Sequence, residues 1–316
     1  MNPDKKNLKI VLPGGAGLVG QNLVARLKAR GYQYIVVLDK HQANIAVLKK
    51  VQPDITVEYA DLAEQGTWQD HINDADVVVM LQAQIGGNDY QDFVRNNLDA
   101  TKWILQSIKE SGRARLIHIS SSVVESVADD FYTNTKKLQE RMVLDSGIVC
   151  PILRPTLMFG WFDRKHLGWL ARFMQKVPVF PIPGNGRYMR QPLYAGDFCE
   201  VIISCVENVA HQGIYNISGH EKIDYVDMIH TIKKATHAPA WIVHIPYSLF
   251  YNLLWLWAVF DKNPPFTTQQ LVALCAKDEF EVMDWPTVFG WPYTPFAQAV
   301  DETFNHSQYS QVVLEF

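Results

Sequence analysis

Residues 8–27 read LKIVLPGGAGLVGQNLVARL, and no other stretch narrows the fold as much. LKIVL (8–12) has the short apolar run of a strand buried on both faces. It leads directly into Gly14, Gly17 and Gly20, spaced three apart. From Gln21, QNLVARLKARG returns apolar residues at helical spacing until Gly31. Glycine permits the tight turn and lets backbone N–H groups approach an anion. The helix that follows points its positive end at the same place, at Leu18 and Val19. Strand, glycine turn and helix together form a pyrophosphate cradle for a dinucleotide. The next strand, YIVVLD (34–39), ends on Asp39, 19 residues past Gly20. A carboxylate there accepts hydrogen bonds from both ribose hydroxyls and repels a 2′-phosphate. That favours NAD; Lys40 beside it keeps NADP as the lesser alternative.

The alternation continues. ANIAVLKK (43–50) reads as a helix, ITVEYAD (55–61) and DVVVML (76–81) as strands, and a long helix runs from about Asp89 to Ser111. RLIHIS (115–120) is a strand, with His118 as a packed core residue. FYTNTKKLQERMVL (131–144) is a helix and CPILRPTLMFG (150–160) a strand with its exit loop. Such a β-α series predicts an α/β protein with a Rossmann-type doubly wound parallel sheet. After residue 160 proline and glycine become frequent, as in VPVFPIPGNGRYMRQP (177–192), and apolar helices follow. Residues 1–160 are therefore expected to form the dinucleotide-binding domain. Residues 161–316 are expected to form a smaller, mostly helical substrate lobe. Segments between about 187 and 218 return to the sheet, IYNIS (214–218) among them. The stretch IPYSLFYNLLWLWAVF (245–260) has the composition of a buried helix and is too short to span a bilayer. A lid over an apolar ligand and a helix lying on a membrane surface are its other uses.

Hydrophobic residues make up 48% of the 316 and charged residues 20%, enough to bury a sizeable core. The net charge is −4 with no basic stripe, which argues against a nucleic-acid partner. The four cysteines (Cys150, Cys199, Cys205, Cys275) are scattered, so no metal site is expected, and a reducing compartment suits them. MNPDKKNLKIVLPGG is not a secretory leader, because its apolar run is short and enters the glycine loop. A cytoplasmic protein without a transmembrane segment is the expectation.

The chemistry is expected in SSSVVESVADDFYTNTK (120–136). Tyr132 and Lys136 are four apart on a helix and share a face. At the carboxyl end of a parallel sheet that face looks toward a dinucleotide. An ammonium near a phenol favours the phenolate, so Tyr132 can exchange a proton with a substrate oxygen while nicotinamide moves a hydride. A serine at the adjacent strand end can hold the same oxygen.

With these residues in place the chain resembles an extended short-chain dehydrogenase/reductase of the NAD-dependent epimerase/dehydratase kind. The resemblance rests on GGAGLVG (14–20), Asp39, Ala60-Asp61-Leu62, RNNLDAT (95–101), LIHISSS (116–122), YTNTKKLQE (132–140), LRPTLMFG (153–160) and RQPLYAGD (190–197). It implies that Asp61 and Leu62 lie by the adenine, that Ala83 follows the fourth strand at the cofactor, and that Asn97 belongs to the helix behind the active site. It makes Ser121 the catalytic hydroxyl, Ser122 its alternate at the substrate, Tyr132 the acid/base, and Lys136 the ligand of the nicotinamide ribose. Glu140 fits the usual trailing acid. Glu125 and Ser126 replace the usual Tyr-Gly, so the loop after the strand departs from the pattern.

Family members that remove water from a nucleotide sugar carry Asp-Glu after the catalytic hydroxyl. Here Ser122 and Val123 stand there, which disfavours a 4,6-dehydratase and leaves epimerisation or ketone/alcohol redox. PGNGRYMRQPLYAGD (183–197) resembles the segment that places an arginine on a nucleotide-sugar diphosphate, with Arg190 first and Arg187 second. A nucleotide-linked sugar is the expected substrate. RPT (154–156), QPLY (191–194), PPFTTQQL (264–271) and FGWPYTPF (289–296), with Gln82 in place of an alanine, resemble the atypical branch of the family. That branch implies two alternatives: a dehydrogenase or isomerase of an apolar, sterol- or isoprenoid-like alcohol, or a cofactor-binding assembly or sensor protein. The resemblance also implies a homodimer through the helices at about 89–111 and 131–146.

Overall fold

The strand and helix signals close into one parallel sheet in the computed structural model, which describes residues 6–261, 267–275 and 283–314. The first half runs β1 (Ile10–Pro13), α1 (Leu18–Ala29), β2 (Ile35–Asp39), α2 (Gln42–Val51), β3 (Thr56–Tyr59), α3 (Trp68–Asn73) and β4 (Val77–Met80). Next come α4 (Tyr90–Phe93), a π-helical turn (Val94–Asp99), α5 (Ala100–Ser111), β5 (Arg115–Ile119), a 3₁₀ turn (Ser122–Glu125), α6 (Phe131–Asp145) and β6 (Pro151–Pro155). The helix expected over 89–111 is thus one helical run with a widened turn inside it.

The chain then continues through β7 (Met158–Phe159), α7 (Leu167–Lys176), β8 (Val179–Pro183), β9 (Met189–Arg190), β10 (Leu193–Tyr194), α8 (Ala195–Glu207) and β11 (Gly213–Ile217). It ends with β12 (Ile223–Asp224), α9 (Tyr225–Thr236), β13 (Trp241–Ile245), α10 (Tyr247–Phe260), α11 (Thr268–Cys275), α12 (Trp285–Phe289) and α13 (Phe296–Asn305). The PPFTTQQL stretch begins outside the described residues.

The main sheet has seven strands in the order β11-β6-β5-β4-β1-β2-β3, and every neighbouring pair is parallel. The order reverses between β1 and β4, the crevice where a doubly wound sheet takes its ligand. Successive side chains of a strand point to opposite faces. Ile10 and Leu12 accordingly pack with Leu23, Leu27 and Ile202 on one side, while Val11 packs with Ile104, Ile108 and Val143 on the other. The lobe has its own apolar cluster, in which Phe159, Met174, Phe180, Ile229 and Phe296 meet. Two small sheets hold it, β8 with β13 in parallel and β9 with β12 antiparallel.

One expectation fails in the lobe. The apolar composition of 245–260 predicts a buried helix; α10 forms, but Leu254 is its only buried residue. Trp255, Trp257, Val259 and Phe260 are more than half exposed. The residues around it bury a single stripe of the helix and leave the rest outside.

Candidate active site

The glycine loop has two kinds of glycine. A Cβ on Gly14 would stand 2.4 Å from the Cα of Gln82, at a φ of +76° that side chains disfavour. A Cβ on Gly20 would stand 2.2 Å from the carbonyl oxygen of Gly15. Both are required by the protein's own packing. So is Gly15, whose Cβ would meet Leu12 at 2.8 Å. Gly17 differs: the nearest heavy atom to its Cβ position is 3.7 Å away. It is the N-cap of α1, which has no side-chain cap and no acidic residue in its first turn. The backbone N–H groups at Leu18 and Val19 therefore open a space with a positive helix end and no side chain in it. A pyrophosphate fits that space.

Asp39, at the end of β2, is part-buried. Its Oδ2 accepts from the N–H of Ala16 at 3.0 Å and its Oδ1 from the N–H of His41 at 2.9 Å. Burial pushes its carboxyl up, and these two N–H groups pull it back. It thereby ties the glycine loop to the end of β2. Lys40 turns away, to Asn96 at 2.6 Å and toward Asp61 at 3.9 Å. Asp61 accepts from the N–H of Ala63 and pairs with Arg95 at 2.7 Å, while Leu62 beside it is buried. Ala83 lies in the loop after β4, half-buried.

On the other side of the crevice, Ser121 lies two residues past β5 in extended backbone and caps the 3₁₀ turn that starts at Ser122. Its hydroxyl accepts from the N–H of Val123 at 3.4 Å, and Tyr132 stands in the first turn of α6. Asp130 fixes that turn, accepting from the N–H of Thr133 at 2.9 Å and from its hydroxyl at 2.8 Å. Burial raises the Tyr132 phenol pKa and the Ser121 hydroxyl opposes the rise.

Lys136, one turn on, is fully buried. It donates to the carbonyl of Ile119 at 3.0 Å and to Oε1 of Gln139 at 2.5 Å. Burial lowers its pKa to about 7, with Glu140 pulling the other way. The sequence predicts an ammonium beside the phenol. In this arrangement the lysine turns to β5 and Gln139 instead, and burial governs the tyrosine.

A buried polar network surrounds the lysine. Gln139 and Gln82 both donate to the hydroxyl of Thr101, at 2.9 and 3.1 Å. Asn97 donates to Thr135 at 2.9 Å and accepts from the N–H of Gln84 at 2.6 Å. Glu140 receives Arg154 at both carboxylate oxygens, through Nε at 3.0 Å and through a second nitrogen, and also the hydroxyl of Ser120. Arg154 reaches on to Glu125 at 2.6 Å, which Asn216 of β11 also contacts. The 3₁₀ turn is thus tied to β6 and β11. His118 is buried with no hydrogen-bond partner on either ring nitrogen, and burial with the nearby Lys136 keeps it neutral.

The two candidate arginines have other partners. Arg187 is exposed and bonds to Asp224 and Asp227, both at 2.9 Å, closing the lobe's antiparallel pair. Arg190, on β9, donates to the carbonyls of Met189 and Leu274, which ties it to α11.

The sequence reading had no signal for Gly15 or for the Glu125–Arg154–Glu140 chain. The first is a contact between a loop and its own strand. The second joins residues 14 and 29 positions apart in sequence.

Sheet order, glycine loop and the group on α6 define a dinucleotide-binding α/β protein. Solved structures of similar fold include UDP-glucuronic acid 4-epimerase from Bacillus cereus in complex with NAD. It gives a TM-score of 0.72 at 21% identity, covering 93% of this chain and 97% of that one. The Bordetella bronchiseptica enzyme WbmG, in complex with NAD and UDP, gives 0.75 at 15% identity over 99% and 98%. In sequence, the sterol-4-alpha-carboxylate 3-dehydrogenase, decarboxylating, of Mus musculus is 26% identical over 96% of this chain and 93% of the relative. The chain belongs to the NAD dependent epimerase/dehydratase family, whose model matches residues 10–218. It is an NAD-dependent enzyme of the oxidoreductase type.

Proposed function

We propose that the protein is an epimerase or oxidoreductase of a nucleotide-linked sugar, working by hydride transfer with Tyr132 as acid/base. The observation that carries this reading is the placement of Ser121 just past β5 and of Tyr132 in the first turn of α6, across the reversal in strand order from the uncapped start of α1. NAD, when bound along Gly17, Leu18, Val19 and Asp39, supplies the hydride acceptor. The chain's own residues do the rest. Ser121 holds the substrate oxygen, with Ser122 beside it. Tyr132 moves the proton at that oxygen. As the hydride leaves the substrate, Tyr132 takes the hydroxyl proton as phenolate, and it returns the proton when the carbonyl is reduced; burial opposes the phenolate, and a Lys136 ammonium standing nearer the ring favours it.

A diphosphate-linked substrate is supported by the UDP bound in WbmG. No acid follows Ser121 directly, which supports redox or epimerisation over elimination. Tyr132→Phe is expected to lower turnover of UDP-linked sugars by about 10²-fold or more, with NAD affinity nearly unchanged by titration calorimetry. Full activity in that variant would sink the mechanism.

A second reading, an apolar alcohol as substrate, is favoured by the mouse sterol dehydrogenase matching almost the whole chain and by the apolar face of α10. Stabilisation by a sterol carboxylate in place of any UDP-sugar, measured by thermal shift, would select it.

A further inference from the structure

Helix α10, YSLFYNLLWLWAVF, has no charged residue among its 14, yet it is mostly outside the protein. Only Leu254 is buried, and half-buried Phe250 helps attach the helix to the lobe. At about 100° per residue, the exposed side chains form two flanks on either side of this attachment. Leu249, Leu253, Leu256, Trp257 and Phe260 make one. Tyr247, Tyr251, Trp255 and Val259 make the other, and the polar Ser248 and Asn252 fall beside them. Phe260 is 83% exposed and Trp257 51%. Through Pro246 the apolar surface continues onto β13, where Trp241 is 76% exposed.

The area decides what covers this helix. With aromatic side chains at about 150–250 Å² each, each flank exposes roughly 500 Å² of side chain. The two together exceed the largest apolar patch of a typical monomer, about 300–600 Å². A stable protein interface buries about 800 Å² per partner on one side. Neither flank offers that much, and a second copy seated on one would leave the other in water. An apolar fluid can surround both at once. The helix is about 21 Å long, short of the roughly 30 Å of a bilayer core, and no described helix is long and apolar enough to cross a membrane.

We infer that α10, with the adjoining edge of β13, seats the protein on a lipid bilayer surface. The leucine flank enters the acyl boundary, and the tyrosines, Trp255, Ser248 and Asn252 lie at headgroup level, where amphipathic rings concentrate. Because α10 carries no charge, the attachment is to the apolar boundary, and neutral lipids suffice.

The test uses the full chain and vesicles of pure phosphatidylcholine, followed by flotation at about 0.1 M and about 0.5 M salt. The protein is expected to rise with the vesicles at both. Leu253→Glu combined with Phe260→Glu is expected to cut the vesicle-bound fraction at least about tenfold, the weight of one buried apolar side chain. Both positions are exposed, so the melting temperature should stay put. The inference is overturned if the wild-type protein stays in solution at every lipid concentration. Binding that needs anionic lipid and disappears at high salt overturns it as well. So does a dimer, seen by sedimentation, that the double variant converts to monomer while the wild type ignores vesicles.

Discussion

Two helices of this molecule invert the ordinary distribution of side chains, and they do so in opposite directions. Helix α6 buries Lys136, Gln139 and Glu140, residues that normally face water. Helix α10 exposes tryptophan, leucine and phenylalanine, residues that normally do not. On α6 the inversion is compensated inside the chain: the lysine meets a carbonyl and an amide, and the glutamate meets Arg154 and Ser120. On α10 no such compensation exists among the described residues. Buried polar groups that are fully partnered point to chemistry within the fold. Exposed apolar groups without cover point to something outside it.

The comparison breaks most readily at Arg154. Arg154→Ala leaves Glu140 buried without its bidentate partner, which should cost about 3–5 kcal/mol in urea unfolding. A loss below about 1 kcal/mol would mean that water already serves the carboxylate. Within α10 itself, neighbouring leucines should part company. Leu254→Ala is expected to cost about 2 kcal/mol, in the range of buried large-to-small changes.

Lys136 offers a pH-dependent version of the same test. Its ammonium ionises near 10.4 in an unfolded chain and at about 7 in the fold. Between those values the unfolded state holds the extra proton, so this group makes stability rise as pH increases from 7. The slope for one proton is about 1.4 kcal/mol per pH unit. Subtracting the Lys136→Met curve from that of the apo wild type, by denaturant unfolding at pH 7 to 8.5, should return a positive slope of up to that size. A flat difference would mean that the lysine stays charged in its pocket. The smallest effect is expected at Leu253→Ala, within about 0.5 kcal/mol, the companion to Leu254→Ala. A loss as large as that of Leu254 would show α10 to be covered in solution.

Much of the fold was legible because strands buried on both faces write continuous apolar runs, as in IVVL (35–38) and VVVM (77–80). Glycine spacing pointed to the loop but not to the division of labour within it, since Gly14 and Gly20 answer to contacts and Gly17 to open space. The order Ser121, Tyr132, Lys136 could be read as a group, because α6 starts where Asp130 caps it. Which way the lysine turns could not, because its partners come from β5 and from a residue three places on. Composition marked α10 as apolar and so predicted burial. Hydrophobicity states only that water is unfavourable, however, and does not name the cover. Arg187 and Arg190 were recognised as arginines near a loop, while the groups that engage them, Asp224, Asp227 and the carbonyl of Leu274, come from elsewhere in the chain.

The π-helical turn at Val94–Asp99 sets the phase of the helical run that contains it. Before the turn, Tyr90 meets Phe131 in a tilted contact and Phe93 meets it edge-on, with ring centroids 5.3 and 5.7 Å apart. After it, Ile104 and Ile108 pack with the sheet core. Within the turn, fully buried Asn97 reaches Thr135. An uninterrupted α-helix keeps a fixed rotation of about 100° per residue, and a π turn spends one extra residue without advancing the rotation in step. Deleting one residue there would return the turn to plain α-helix with both contacts still in phase, whereas deleting a second would leave the aromatic contact and the isoleucine contact about a quarter-turn out of alignment, so that the run could satisfy α6 or the sheet but not both. Length at this point is therefore a constraint in its own right, independent of which side chains occupy it.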